Sequence, residues 1–287
     1  MDCVMLGSLG VWVGGMSVVP SAPKPRQVLG LLAVHRDRVV SVGTLAEELW
    51  GEVLPRSSRA TVQTYVLQVR ELIGTALERG TREANGGGDC HAKDVLLTVP
   101  GGYVLRSGGG GCDVGEFERM AGSGYRAMDA GDCAGAAALL RRALGLWSGP
   151  ALAGVRAGTH LQGEVRRLEE ARLCALERRI EADLQLGRHR ELLAELTVLV
   201  SRYPLHEGLC GQFMVALYRA GRRGEALEAY HRLRAVLVRE LGLEPSATLV
   251  KLQHSILVAR PERAVAGSAA RGGGTGDQGA ERFAPVG

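Results

Sequence analysis

Residues 55–73, PRSSRATVQTYVLQVRELI, carry the pattern of an amphipathic helix and decide how the rest of the chain is interpreted. Ser57 and Ser58 are suitable N-caps, because a short hydroxyl side chain accepts hydrogen bonds from the free amides of a first helical turn. At about 100° per residue, the apolar side chains fall within about a third of the helix circumference. They are Val62, Tyr65, Val66, Val69, Leu72 and Ile73. One face is therefore expected to pack, and the other to contact a partner.

The opposite face combines arginine, glutamine and threonine, and no acidic residue occurs between Val53 and Arg70. An arginine fork suits guanine edges or phosphate, an amide pairs with adenine, and a hydroxyl suits either. This mixture is typical of a helix that enters a DNA groove. An ordinary solvated helix face has a similar composition, so the pattern by itself leaves both interpretations open.

Length and composition limit the class of protein. The chain has 287 residues, 46% of them hydrophobic, and a net charge of +4, which fits two domains and permits a nucleic-acid partner without requiring one. Six cysteines without a CxxC motif predict free thiols in a reducing compartment. Asp2 and several glycines in the apolar N-terminal stretch argue against a signal peptide. A cytoplasmic, nucleoid-associated protein without membrane contact is expected.

The order of predicted elements indicates a winged helix-turn-helix domain. We expect an N-terminal antiparallel sheet, three helices and a C-terminal β-hairpin. The segments are strands in 4–13, a helix in 26–35, a strand in 38–42, a helix from Thr44 to Gly51, the helix from Ser57, and a hairpin in 94–106. Thr44 and Glu47 have capping-box spacing. The Gly-rich insertion 81–93 is expected to be disordered. In this arrangement the third helix enters the major groove.

The second half is predicted to be an all-α, tetratricopeptide-like repeat domain. Gly187-Arg188 and Gly221-Arg222 lie 34 residues apart, which is the tetratricopeptide period. Ala130-Gly131-Asp132 is a similar segment, but Gly131 lies 56 residues before Gly187, so the repeat is irregular. The predicted divisions are 1–107 for DNA binding, 108–112 as a Gly-rich linker, 113–260 for the helical domain and 261–287 as a disordered tail.

The chain resembles the Streptomyces antibiotic regulatory proteins, which join an OmpR-type winged helix to a bacterial transcriptional activation domain. The resemblance rests on segments 24–29, 38–42, 49–51, 61–70, 102–103, 168–189 and 241–245. It implies a pathway-specific activator of a secondary-metabolite gene cluster that binds direct repeats near the −35 element and recruits RNA polymerase holoenzyme. It also implies that Trp50 packs against the sugar-phosphate backbone. Pro100 stands where OmpR-type wings often carry arginine, so insertion of the wing into the minor groove is not expected.

The candidate contacts to double-stranded DNA lie before the first helix, at the end of the second, on the third helix and on the hairpin. They are Lys24, Arg26, Trp50, Arg56, Ser58, Arg59, Thr61, Gln63, Thr64, Tyr65, Gln68, Arg70, Thr98, Tyr103 and Arg106. For each of them, core packing or a solvated surface is the alternative. No catalytic residue, cofactor or metal site is predicted, because the chain lacks a P-loop, a GxSxG motif and metal-ligand spacing.

Two functional hypotheses remain at the level of sequence. Few phosphate contacts per protomer are expected, so tight binding requires a dimer on repeated DNA sites. The alternative is a helical-repeat adaptor that binds proteins and has lost DNA binding. Acidic residues on the exposed face of the third helix would favour the adaptor, and this face carries arginine and glutamine instead.

Overall fold

The computed structural model describes residues 1–84 and 91–258. The chain opens with an antiparallel sheet in the order β1-β2-β3, which confirms the predicted N-terminal sheet. Its strands are β1 (Asp2–Val4), β2 (Gly10–Val13) and β3 (Met16–Ser17). Gly14 and Gly15 make the turn between β2 and β3 with φ of 56° and 79°. Glycine is favoured there because such tight hairpin turns need positive φ.

Three helices follow, as predicted: α1 (Pro23–Val34), α2 (Val42–Trp50) and α3 (Ser58–Ala84). Their apolar faces and the inner face of the first sheet form one hydrophobic core. α2 begins one turn earlier than the Thr44 capping box predicted. Ser41 is the N-cap, and its Oγ accepts from the Thr44 amide at 2.9 Å. Ser41 ends a strand in extended geometry, which is the backbone conformation that an N-cap requires.

The predicted hairpin is present and forms a small wing. It consists of β5 (Leu96–Val99) and β6 (Gly102–Leu105), and β6 also pairs with β4 (Val40–Ser41), so the sheet order is β4-β6-β5. Gly102 lies against the backbone of β4, where an added Cβ would be 2.2 Å from the Val40 carbonyl oxygen. The wing is therefore joined to the strand between α1 and α2.

The predicted disorder of residues 81–93 is wrong at both ends of that segment. α3 continues to Ala84, and a helical turn, α4 (Ala92–Val95), precedes β5. Residues 85–90 lie outside the described part of the chain. The helix continues because adding one residue to an existing helix is much easier than starting one. Buried Ala76 also extends the packed stripe beyond Ile73.

The second half is all-helical, as predicted. Its helices are α5 (Asp113–Asp129), α6 (Cys133–Leu144), α7 (Thr159–Gln185), α8 (His189–Arg202), α9 (Glu207–Arg219), α10 (Arg223–Leu241) and α11 (Ala247–Val258). Three helical hairpins turn at Gly131, Gly187 and Gly221, with φ of 79°, 79° and 81°. The irregular spacing of the first of these turns arises because residues 145–158 connect α6 to α7 without regular helix.

The two halves share a core rather than meeting through a free hinge. Buried residues of the first sheet and of α1, α3, α5 and α7 belong to one cluster. Asp113 Oδ2 accepts from the amides of Met5 and Leu6, each at 2.7 Å. The Cys3 amide donates to Gly111 O at 3.0 Å, so the predicted Gly-rich linker is bound to β1. The domain limits stay a prediction, and the tail 261–287 lies outside the described residues.

No helix within residues 1–84 and 91–258 has the length and apolar character needed to cross a bilayer. The same residues contain no cluster of three or more potential metal ligands. Five of the six cysteines are described, and each is a free thiol.

Candidate nucleic-acid interface

The first half of α3 separates a buried stripe from an exposed face. Val62, Val66, Val69 and Ile73 are fully buried against α1 and α2, as the apolar spacing predicted. Tyr65 is half-buried, whereas Leu72, also assigned to the stripe, is 37% exposed. Leu72 lies at the edge of the apolar face, so part of its side chain reaches solvent. The helix is thus held by its inner side and presents its outer side freely.

The exposed face carries the predicted polar residues of the N-terminal half of α3. Arg59, Gln63, Thr64 and Gln68 are exposed on the helix, and Arg56 is exposed just before it. In the part of the chain that the structure describes, the guanidinium groups of both arginines lack ion pairs and hydrogen bonds. Unpaired arginines beside exposed amides leave donors available for a phosphate or a base edge.

The two threonines of this segment use their hydroxyl protons within the helix. Thr61 Oγ1 donates to Ser57 O, and Thr64 Oγ1 donates to Ala60 O, each at 3.1 Å. Bonding to the carbonyl four residues earlier is common for threonine in helices. Each side chain therefore offers a methyl group and an oxygen acceptor to a partner, rather than the free hydroxyl donor that the sequence suggested.

Arg70 connects α3 to the wing. Its Nε and Nη2 donate to Leu96 O at 3.0 and 2.7 Å, and Nη2 also donates to Thr98 Oγ1 at 2.7 Å. The guanidinium lies over the Tyr103 ring, 5.9 Å from its centroid. Direct DNA contact by Arg70 stays a prediction. In the structure, its observed role is to hold the hairpin at a defined position beside the helix.

Lys24 and Trp50 lie together at the C-terminal end of α2. Lys24 Nζ donates to Leu49 O and lies 5.7 Å from the centroid of the Trp50 ring. A cation at this position is favoured because the last carbonyls of a helix carry partial negative charge. Trp50 is half-buried. The pair therefore stabilises the C-terminal end of α2.

The Arg26 guanidinium donates hydrogen bonds to backbone carbonyls in both halves of the chain. Nε donates to Pro20 O at 2.9 Å, Nη2 to Ser21 O at 3.1 Å and Nη1 to Gly154 O at 3.1 Å. Three of its five N–H donors therefore have protein acceptors, and a phosphate contact by Arg26 stays a prediction. Arg26 joins the start of α1 to the connection between α6 and α7.

Burial counts against two of the predicted contacts. Ser58 and Tyr103 are 9% and 6% exposed, so they pack inside the domain instead of presenting a side chain to a groove. Thr98 is exposed on β5 of the wing, and Arg106 is exposed directly after β6. The structure thus brings together the α3 residues and the wing, and moves Arg26, Ser58 and Tyr103 into supporting positions.

One carboxylate that sequence reasoning missed fixes the DNA-binding half to the helical half. Glu48, on α2, is 2% exposed and accepts from the amides of Gly158, His160 and Leu161 at the start of α7. No local pattern distinguishes Glu48 from its exposed neighbour Glu47, so this role could not be predicted from the sequence.

Comparison with known proteins agrees with this geometry. Residues 17–84 match the family described as "Transcriptional regulatory protein, C terminal", and residues 112–257 match the "Bacterial transcriptional activator domain". The chain is 51% identical over 261 residues to Regulatory protein DnrI of Streptomyces peucetius, covering 91% of this chain and 93% of that protein. It is 35% identical over 260 residues to Regulatory protein AfsR of Streptomyces griseus, covering 91% of this chain but 25% of that protein.

The fold also matches a solved structure, described as Mycobacterium tuberculosis EmbR in complex with low affinity phosphopeptide. The TM-score is 0.77 at 33% sequence identity, over 89% of this chain and 64% of that chain. A winged helix and a bacterial transcriptional activator domain therefore occur together in this chain. The chain belongs to the family of Streptomyces antibiotic regulatory proteins, which are transcription regulators.

Proposed function

We propose that the protein is a sequence-specific DNA-binding transcriptional activator, pathway-specific for a secondary-metabolite gene cluster, and that α3 enters the major groove of its promoter. The observation that carries this proposal is the exposed, acid-free N-terminal half of α3. Arg59 lies on this segment and Arg56 just before it, and among the described residues neither exposed guanidinium makes an ion pair or hydrogen bond, next to exposed Gln63 and Gln68. Unpaired cations beside exposed amides are the groups that pair with base edges in the major groove, and a protein-binding adaptor does not require them.

The dimensions of the exposed segment suit a DNA groove. From Ala60 to Leu67 the helix rises about 10 Å at 1.5 Å per residue, and the major groove is about 12 Å wide. Glu71 is the first acidic residue on α3, and it is exposed. Its charge disfavours contact with phosphates, so the contact surface ends before it. The wing, held by Arg70, supplies Thr98 and Arg106 for the adjacent backbone.

Modest charge on this surface favours two protomers on repeated sites. Each phosphate neutralised by a protein cation contributes about 0.9 to the slope of log affinity against log salt, and two exposed arginines support only a few such contacts. Binding to direct repeats near the −35 element multiplies modest affinities through effective concentration. The helical half, fixed to the DNA-binding half by Glu48, then presents a surface of constant orientation to RNA polymerase holoenzyme.

The test is a DNase footprint of the purified chain on the promoters of its own gene cluster, followed by gel shifts on one and two half-sites. Arg59→Ala should weaken binding about tenfold or more if a base is contacted, or flatten the salt slope by about 0.9 if a phosphate is contacted. Arg79→Ala is the matched control, because Arg79 is exposed on the same helix about 30 Å further along.

The outcomes separate the proposal from the adaptor hypothesis. Protection of repeated sites, with binding weakened by Arg59→Ala and not by Arg79→Ala, supports the proposal. Absence of protection on every promoter of the cluster, or equal binding by both variants and the parent protein, favours the adaptor. Full affinity on a single half-site would refute the requirement for two protomers.

A further inference from the structure

The outermost ridge of the α3 contact face is apolar. Ala60, Thr64 and Leu67 form this ridge, because spacings of four and three residues line them up along the side opposite the buried valines, and Glu71 follows beyond its end. All four are exposed, and Leu67 is 54% exposed. A partner that covers the Leu67 side chain would gain free energy in proportion to the apolar surface removed from water.

The middle of the ridge also lacks a free hydrogen-bond donor. Thr64 uses its hydroxyl proton on Ala60 O at 3.1 Å, so its methyl group and oxygen lone pairs remain for a partner. Ala60 and Leu67 carry only hydrocarbon side chains. Gln63 and Gln68, on the two flanks of the ridge, supply the amide groups of this face. The ridge therefore presents methyl groups between two lines of polar side chains.

Only one group at the base edges of the major groove is apolar, and it is the C5-methyl of thymine. The charges around the ridge select DNA as the occupant, since Arg56 and Arg59 are exposed beside it and the first acid of α3 is Glu71. We propose that the ridge, with Leu67 at its centre, reads the C5-methyl groups of thymine and so sets specificity for thymine within each half-site. This inference rests on the proposed function, because it requires α3 in the major groove.

The test uses a chemical change confined to the methyl group. Each thymine of the footprinted half-site is replaced in turn by uracil, which differs from thymine only in lacking the C5-methyl, and affinities are measured by gel shift. At one or more positions the parent protein should lose about threefold to fivefold in affinity, as expected when one methyl group leaves an apolar contact. Leu67→Ala should bind the thymine duplex more weakly and should no longer distinguish thymine from uracil at that position.

Leu72→Ala is the matched control. Leu72 is also an exposed leucine of α3, at 37%, but it lies off the ridge. This variant should keep the full discrimination between thymine and uracil. Circular dichroism and thermal melting establish that both variants are folded before affinities are compared.

The outcomes distinguish failure of this inference from failure of the proposed function. If the parent protein binds its half-site specifically but tolerates uracil at every position, the inference is overturned and the regulator assignment stands. The same conclusion holds if Leu67→Ala keeps the parent's discrimination at every sensitive position. If the parent protein binds no promoter DNA, the proposed function fails first, and the ridge then belongs to a protein interface.

Discussion

Removal of the Glu48 carboxylate tests whether the two halves of the protein are joined as the structure shows. Glu48 Oε1 accepts from Gly158 N at 2.5 Å and from Gln27 Nε2 at 2.9 Å, and Oε2 accepts from the amides of His160 and Leu161 at 2.9 and 3.0 Å. In Glu48→Ala, three amides at the start of α7 lose their acceptor inside the interface. A methyl group also leaves space where the carboxylate was.

The expected destabilisation follows from these contacts. Loss of an N-cap costs about 0.5 to 2 kcal/mol, and each buried donor left unsatisfied costs about 1 to 3 kcal/mol. Because water entering the new space will satisfy some of the amides, we expect Glu48→Ala to lower the free energy of unfolding by about 3 to 5 kcal/mol. Glu48→Gln keeps one oxygen but turns an amide group toward backbone N–H donors, so about 2 kcal/mol is expected.

The assay is urea denaturation followed by circular dichroism and tryptophan fluorescence, with thermal melting as a second measurement. Glu47→Ala is the matched control, because Glu47 is exposed and, within residues 1–84 and 91–258, its carboxylate pairs with the His160 ring alone, at 3.1 Å. An exposed pair of this kind contributes less than about 1 kcal/mol. If Glu48→Ala and Glu47→Ala unfold at the same urea concentration, the buried carboxylate does not join the halves, and the reasoning is refuted.

Three further predictions concern the wing, the thiols and the backbone. Arg70→Ala should accelerate hydrogen exchange in β5 and β6, because three hydrogen bonds between α3 and the wing are lost. Cys3 and Cys210 should resist iodoacetamide at pH 8 until the protein unfolds, because burial raises the pKa of these thiols to about 12 and about 11. Gly102→Ala should destabilise the protein by about 1 to 3 kcal/mol, since its Cβ would meet a β4 carbonyl oxygen at 2.2 Å, whereas Gly74→Ala should stabilise α3 by about 0.5 to 1 kcal/mol.

Each of these predictions has a result that contradicts it. For the wing, exchange as slow in Arg70→Ala as in Arg59→Ala would show that the guanidinium does not hold the hairpin. For the thiols, rapid labelling of native Cys3 would contradict its burial. A raised folded pKa also means that these thiols favour the folded state below their ordinary pKa of about 9 and favour it less as pH rises toward 12. For the backbone, equal melting temperatures of both glycine variants would contradict the close approach.

Local patterns predicted most of the architecture because the relevant physics is local. The spacing of Val62, Val66 and Val69 determines which side of α3 packs, whatever the helix packs against. Gly187 and Gly221 mark helical turns because glycine adopts positive φ without steric cost. The sheet, the three helices, the hairpin and the repeat domain were all predictable on these grounds.

The exposed ridge of α3 was partly predictable in the same way. Periodicity placed Thr64 and Leu67 on the outer side of the helix, and the structure shows both exposed. Periodicity does not show whether a hydroxyl already donates a hydrogen bond, so the bond from Thr64 Oγ1 to Ala60 O was visible only in the structure. The sequence therefore suggested a hydroxyl donor where the surface offers a methyl group.

Only the tertiary structure decided which long side chains are free and which are used internally. Arg59 and Arg70 look alike in sequence, but β5 approaches α3 beside Arg70 and supplies acceptors that Arg59 lacks. Arg26 and Glu48 find partners more than a hundred residues away, at Gly154 and at the start of α7. An arginine or glutamate reaches several directions from one Cα, so its partner is determined by which elements dock around it, and docking depends on the whole chain.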